Sequence, residues 1–325
     1  MKRREALLVV AALAAAPALH AQAPRLRRVA IAGPGSLEVN TRLEGPFKAR
    51  LAELGWVEGR TVEYVHAAAD GDGARYEPMI VGLLAQKPDV LLVTLGGMAR
   101  VAKKLTHDVP IVFTITSNPE KAGLVASLGR PGGNVTGVST RELELLGKRI
   151  ELLKEIAPAM RRVAVLVNPT NPSMVKAYVD GYGQEARAAG LQLVTLEARS
   201  AEELGPAFGR IGREGAQGLL VTADAVHYAL RSHVVQHASR LRLPGVYAVD
   251  EWVDAGGLAS YGTNVADQFR RAAGFVDRIL RGAKPADMPV EEPTNFELAV
   301  NVKAAREQGI KLPQSVLVRA TKVVE

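Results

Sequence analysis

The sequence predicts an α/β fold. Short apolar runs rich in β-branched residues alternate with amphipathic stretches from residue 29 onward, a pattern that calls for parallel strands with helices on both faces. The alternation halts at Pro158 and begins again with a fresh strand at 163. At 325 residues the chain also exceeds what one core ordinarily organises. Together these features give two Rossmann-like lobes with parallel sheets, in series along the chain.

In the first run, 29–32 reads as a strand and Gly33-Pro34-Gly35-Ser36 as its turn. A helix is expected over 41–54, because Leu43, Phe47, Leu51 and Leu54 fall at helical steps on one face, and Gly55 ends it. Strands follow at 61–65 and 89–95, with a helix over 76–85 between them. Gly96-Gly97 turns into a helix reaching Leu105. Ile111-Val112-Phe113 is a buried strand, and Thr114, Thr116, Ser117, Asn118 and Pro119 make the exposed turn after it. The Arg130-Pro131-Gly132-Gly133-Asn134 break precedes one more strand at 135–138.

A helix over 141–157 carries Leu143, Leu146, Ile150, Leu153 and Ala157 on one stripe and leads into the second run. Strands are expected at 163–167, 191–196, 218–222, 245–249 and 258–261. Helices fall over 174–189, near 201–213 and over 225–240. The tail adds a helix over 266–281, prolines at 285, 289 and 293, a strand at 296–300, a short helix over 302–308 and an end strand at 316–317. A single lobe has no use for that tail.

Residues 1–23 have the form of an export signal. Lys2, Arg3 and Arg4 precede an apolar stretch over 7–18 that is too short to span a bilayer. Cleavage after Ala21 is expected, by the secretory route. The chain has no cysteine, which removes disulfides, thiolate metal sites, cysteine nucleophiles and a lipid-anchoring cysteine. Apolar content of 47% with 23% charged residues describes a folded globular chain. The net charge is +7, but the basic residues are scattered and aromatics are only 5%, so no stacking surface for nucleic acid is expected.

Reaction chemistry is sparse. Gly33-Pro34-Gly35-Ser36-Leu37-Glu38 begins like a dinucleotide fingerprint but has Glu38 in place of the third glycine, so no cofactor is expected. Leu258-Ala259-Ser260-Tyr261-Gly262 lacks the first glycine of a hydrolase elbow. His233 and His237 stand four apart without the glutamate of a zinc-protease helix, so no metal is expected. What remains is polar groups where strands end, the position at which open parallel sheets bind ligands. In the first lobe these are Ser36, Gly96, Gly97, Thr116, Ser117 and Asn118. In the second they are Asn171, Asp224, Tyr247, Asp250 and Tyr261. Backbone N–H groups and hydroxyls of one lobe would hold a carboxylate, and Asp224 of the other an ammonium, with Tyr228, Tyr247 or Trp252 covering an apolar side chain. Asp224 reads equally as an N-cap, and the tyrosines as core.

The run Thr116-Ser117-Asn118-Pro119 through Pro131-Gly132-Gly133-Asn134-Val135-Thr136-Gly137 closely resembles the signature of the ABC-transporter substrate-binding family whose characterised members take up tryptophan and related amino acids. A second likeness runs from Leu258 to Pro293 and on through Asn295 to Pro313. The resemblance implies a type I periplasmic binding architecture whose chain crosses between lobes three times, near 140, 263 and 288, forming a three-segment hinge. It implies one lobe of 24–140 with 264–287 and a second of 141–263 with 288–325. By the same likeness the protein is a monomeric, non-enzymatic periplasmic solute-binding protein. It would bind an amino acid or aromatic amino acid-like ligand and deliver it to an ABC permease and its ATPase. The sequence departs from relatives at two cleft positions, reading Thr116-Ser117-Asn118-Pro119 and Val221-Thr222-Ala223-Asp224 where they often carry an aspartate before the proline and a proline before the aspartate. The alternative is an exported hydrolase-like α/β enzyme using Ser260 or Ser36.

Overall fold

The computed structural model describes residues 25–170 and 172–325. The export signal expected at 1–23 lies outside the described residues. The first sheet contains β1 (Arg27–Gly33), β2 (Val62–Ala68), β3 (Val90–Val93), β4 (Ile111–Thr116) and β5 (Val135–Ser139), in the order β2-β1-β3-β4-β5 with every pairing parallel. The second contains β6 (Arg162–Val167), β7 (Gln192–Glu197), β8 (Leu219–Val221), β9 (Gly245–Tyr247), β10 (Ala259–Gly262), β11 (Glu297–Asn301) and β12 (Lys322–Val324), in the order β12-β11-β10-β9-β8-β6-β7. The order β7-β6-β8-β9-β10 repeats that of the first sheet without any sequence repeat. This is the type I periplasmic binding architecture.

Strand pleating explains the four cores. In β1, Val29 and Ile31 point to one face and Ala30 and Ala32 to the other; in β6, Val163, Val165 and Val167 oppose Ala164 and Leu166. Helices cover both faces of each sheet, so the strands are apolar on both sides. Gly137 in β5 sits at φ 150 with Phe113 against it: a side chain there would place its Cβ 2.1 Å from the Phe113 carbonyl oxygen.

The chain passes between the sheets three times: after Ser139, after Gly262 and before Glu297. After the second passage the helix Val265–Leu280 packs on the first sheet, where Phe269, Ala272, Phe275, Val276 and Ile279 share a core with Val29, Ile31, Val90 and Val112. Asn264 caps this helix through the Asp267 N–H, and Trp56 Nε1 donates to Asp277 Oδ1 at 2.8 Å, tying it to the first lobe.

Three expectations need correction. β11 runs antiparallel to β10: the chain leaves β10 at its carboxyl end, crosses to the first lobe and returns at that same end, so the next strand must run back. Val316 and Leu317 lie in a helix, Gln314–Arg319, and the end strand is β12. Leu312, Val316, Leu317 and Ala320 join one core at helical spacing, which a two-residue strand cannot achieve. The helix expected over 41–54 is two, Leu37–Leu43 and Gly45–Glu53, because Gly45-Pro46 starts a new helix where Pro46 lacks an N–H.

Candidate functional site

In each sheet the order of connection reverses once, between β1 and β3 and between β6 and β8. Loops diverging at such a point leave a crevice beyond the carboxyl ends of the strands. Here the two crevices face each other. Pro34, Gly35, Thr94 and Leu95 from the first lobe and Thr222, Ala223 and Asp224 from the second border one cavity of about 120 Å³. An apolar cavity of about 150 Å³ holds a benzene ring, so this one has the scale of a single aromatic ring.

Leu43, Ile115, Phe269, Val249, Tyr228 and Trp252 supply its apolar wall. Trp252 is held by a parallel stack on Tyr247, with centroids 4.7 Å apart and planes 8° from parallel. Burial raises the Tyr228 phenol to about 12, with Glu251 adding to the rise, so that residue stays a neutral hydrogen-bonding group. The Arg231 guanidinium lies over its ring at 4.7 Å from the centroid.

The polar lining is acidic. Glu44, Glu142 and Asp224 border the cavity, and among the described residues no lysine or arginine does. Glu142 is matched by Arg149, whose Nη2 lies 2.9 Å from Oε2. Glu44 Oε2 stands 3.0 Å from His66 Nδ1. Asp224 Oδ1 accepts from the backbone of Val226 (2.9 Å) and His227 (3.2 Å) and from Asn168 Nδ2 (3.1 Å). Those bonds cap the helix Ala225–Ala229, and all three fall on one carboxylate oxygen. The N-cap role is thus filled, at the border of the cavity.

Asp224, Ala223 and Leu95 also border a wider hollow of about 750 Å³. Across it stand Arg100, Lys104 and His107, with Asn168 and Thr170 on the second lobe. Lys103 is turned to the Gly123 and Leu124 carbonyls at 2.7 and 3.0 Å. The helix Gly96–Leu105 begins at this border, and its N-cap Leu95 offers no side-chain acceptor, so the first-turn N–H groups are uncapped. Thr116 is buried beneath Gly96 with its Oγ1 unpartnered among the described residues. A Cβ at position 96 would stand 3.0 Å from Thr116 Cγ2, so glycine is what lets backbone and hydroxyl share this corner.

Of the residues singled out from sequence, Asp224 lines the cavity and Gly97 the adjoining hollow. Gly96 and Thr116 stand just behind. Ser36 caps the helix Leu37–Leu43, receiving the Val39 N–H at 3.4 Å, while its neighbour Gly35 forms the wall. Ser117 accepts from the Leu143 N–H, and Asn118, at φ 48, accepts from the Lys121 N–H to close its own turn. Tyr247 is buried behind Trp252 and does not line the cavity. Asp250 is paired with Lys322 at 2.7 Å, and Tyr261 packs towards Phe296. Asn171 lies outside the described residues.

Sequence reasoning missed Asn40, Glu44, Thr94, Thr140, Glu142, Thr263, Gln268 and Phe269, all of which line the cavity. Asn40 braces the first turn by bonding both ways to the Gly35 backbone at 3.1 Å. Thr94 follows β3 and Glu44 joins the helices Leu37–Leu43 and Gly45–Glu53, while Thr140, Glu142, Thr263, Gln268 and Phe269 belong to the first two passages between lobes or the helix after the second. Among the described residues no three His, Asp or Glu side chains converge as a metal site, and no helix is long and apolar enough to cross a membrane. Ser260 is buried in β10 away from the cavity.

A family model described as ABC transporter substrate binding protein matches residues 29–324. A tyrosine-binding protein of Clostridioides difficile is 25% identical over 256 residues, 78% of this chain and 73% of that protein. Among solved structures, an ABC domain from Streptococcus pneumoniae in complex with L-Trp superposes with a TM-score of 0.83 at 26% identity, covering 92% of this chain and 100% of that one. A conserved domain protein of Vibrio cholerae superposes with a TM-score of 0.84, also at 26% identity and the same coverage.

Proposed function

The chain belongs to the ABC transporter substrate-binding protein family, and on that premise we propose that it is a periplasmic solute receptor taking an aromatic amino acid or close analogue in the inter-lobe cavity. It is exported by the segment 1–23, acts as a monomer, releases its ligand unchanged to an ABC permease driven by an ATPase, and catalyses no reaction. Its lobes are 24–140 with 264–287 and 141–263 with 288–325, closing about the three passages as a hinge.

One observation carries the reading: a cavity of one-ring scale, walled by aromatic and aliphatic groups from both lobes, with carboxylates and, among the described residues, no lysine or arginine in its lining. In this arrangement Asp224 takes the ligand ammonium as a charge-assisted bond that forms only on closure. The carboxylate lies over the uncapped N-terminus of the helix Gly96–Leu105, where backbone N–H groups and the helix dipole favour an anion, with Thr116 and Thr94 as hydroxyl donors. The ring lies between Trp252, Tyr228 and Phe269. The enzyme alternative is not favoured, because neither Ser36 nor Ser260 reaches the cavity.

The test is differential scanning fluorimetry and calorimetry on protein lacking residues 1–21, with L-tryptophan, L-tyrosine and L-phenylalanine beside leucine, lysine, a hexose and a purine. A ligand at a hundredfold its Kd adds about 2.7 kcal/mol of stability, so an aromatic amino acid is expected to raise Tm and to be recovered intact. A shift from a sugar or purine alone, or conversion of the ligand, overturns the reading.

A further inference from the structure

The helix Val265–Leu280 presents an apolar face to the first lobe: Val265, Phe269, Ala272, Ala273, Phe275, Val276, Ile279 and Leu280 are all buried. Gln268 is buried with them, at 1% exposure. Its backbone N–H bonds to the Asn264 carbonyl at 3.2 Å, so the main chain is satisfied there. Its side-chain Oε1 has no hydrogen-bond partner among the described residues. Leaving a buried amide acceptor unmet costs about 1–3 kcal/mol, whereas a leucine in the same place would cost nothing of the kind. It borders the cavity between the lobes.

The cavity has an orientation. Asp224 stands at its border with the basic hollow, and Leu43, Tyr228 and Val265 at its border with a second hollow on the other side of the cleft. Gln268 borders neither hollow. An amino acid with its ammonium on Asp224 and its side chain turned away from both hollows meets the part of the lining to which Gln268 belongs.

Resting on the aromatic amino acid reading, we propose that Gln268 is a specificity-determining residue that reads a polar atom on the ligand ring. Its Oε1 accepts from an indole N–H or a phenol O–H, which removes the unmet acceptor only when a ring of that kind is bound. The ligand class narrows to aromatic amino acids whose ring carries a hydrogen-bond donor. A plain phenyl ring of nearly the same shape is rejected, because it leaves the amide buried and unmatched.

The experiment measures Kd for tyrosine, tryptophan and phenylalanine by calorimetry on the wild type, Gln268→Leu and Gln268→Met, with the Tm of each ligand-free protein. The wild type is expected to prefer tyrosine or tryptophan over phenylalanine by tenfold or more. Both variants should bring that ratio to about one or below by losing the donor-bearing rings, and should melt at or above the wild-type temperature. An unchanged ratio in a folded variant overturns the role of Gln268 while leaving the aromatic reading intact. A clear drop in ligand-free Tm for both variants also overturns it, since the amide would then be serving the fold. If the wild type binds none of the three ligands, the parent reading falls, and this one falls with it.

Discussion

Arg149 and Glu142 form a buried ion pair at the root of the hinge: Arg149 is 0% exposed, and its Nε also donates to the Tyr261 carbonyl at 2.8 Å. Glu142 belongs to the first passage between lobes and Tyr261 to β10, just before the second. Tyr178 donates its hydroxyl to Glu142 as well, at 3.2 Å. Burial alone would lower the Arg149 pKa, but the Glu142 carboxylate outweighs it and the guanidinium stays charged. Removing one partner strands the other in a dry site, at about 3–5 kcal/mol. Arg149→Met is expected to lose that much in urea denaturation, and Arg149→Met with Glu142→Gln to recover part of it.

Asp224→Asn separates the two roles of that side chain. Asparagine ranks with aspartate as an N-cap, so the helix Ala225–Ala229 keeps its start and ligand-free stability changes by less than about 1 kcal/mol. A lost charge-assisted bond is worth about 1.5–3 kcal/mol, so affinity for an aromatic amino acid is expected to fall by ten- to a hundredfold. Calorimetry with the des-amino analogue is the control: its affinity should hardly move.

Only two tryptophans are present. Trp56 is bonded to Asp277 on the outside of the first lobe, and Trp252 lines the cavity. In Trp56→Phe, the emission change on adding tyrosine is expected to persist. Trp252→Ala should abolish it and cost about 3–5 kcal/mol through the lost stack on Tyr247. A signal that vanishes with Trp56 would place the responding ring elsewhere.

Glu251 sits in the seam that Arg42 and Pro46 of the first lobe share with Tyr228 and Arg231 of the second. Burial, with Asp250 adding to it, raises its carboxyl to about 7. The folded protein therefore holds a proton that the unfolded chain releases near pH 4.3. Stability from this group is complete below that pH and is lost as pH rises through 7, by up to about 3 kcal/mol. Glu251→Gln is expected to flatten the fall in Tm between pH 5 and 8. Parallel profiles would remove Glu251 as the cause.

Gly262 ends β10 where the second passage starts, and a Cβ there would stand 1.7 Å from the Ala248 carbonyl oxygen. Neither backbone can move without parting the sheet, so Gly262→Ala is expected to cost more than about 4 kcal/mol. Gly274, inside the helix Val265–Leu280 with nothing within 4 Å of its would-be Cβ, is the control. Gly274→Ala should stabilise by about 0.5–1 kcal/mol.

The strands were legible because short apolar runs such as 163–167 mark buried parallel strands; their faces were not, since both sides of such a run are apolar and only the packing separates Val163, Val165 and Val167 from Ala164 and Leu166. The strand-end loops were legible too, and Asp224 and Gly97 from them border the cavity and the adjoining hollow. The rest of the site was not, because strand-end polar residues compete for two jobs. Ser36, Ser117 and Asn118 spend their side chains on local backbone, as short polar residues do at turns. Tyr247 was misplaced by one step in packing depth: it supports the aromatic that faces the cavity. Glu44, Glu142 and Thr263 gain their place only when distant segments meet. Gln268 did leave a signal, since it breaks the apolar stripe 265, 269, 272, 276 and 279 with a side chain that solvent does not reach.

The return of residues 265–280 to the first lobe bears on how the molecule is made. Strands β1 to β5 leave the ribosome early, yet the helix that seals one of their faces is separated from them by most of the other lobe. Until about 280 residues have emerged, Val29, Ile31, Val90 and Val112 have Phe47 and Leu51 of the helix Gly45–Glu53 beside them but lack the cover of Val265–Leu280. The lobe that begins first is finished last, so a nascent chain stopped at 263 should expose sticky sheet and attract chaperones, while one stopped at 285 should not.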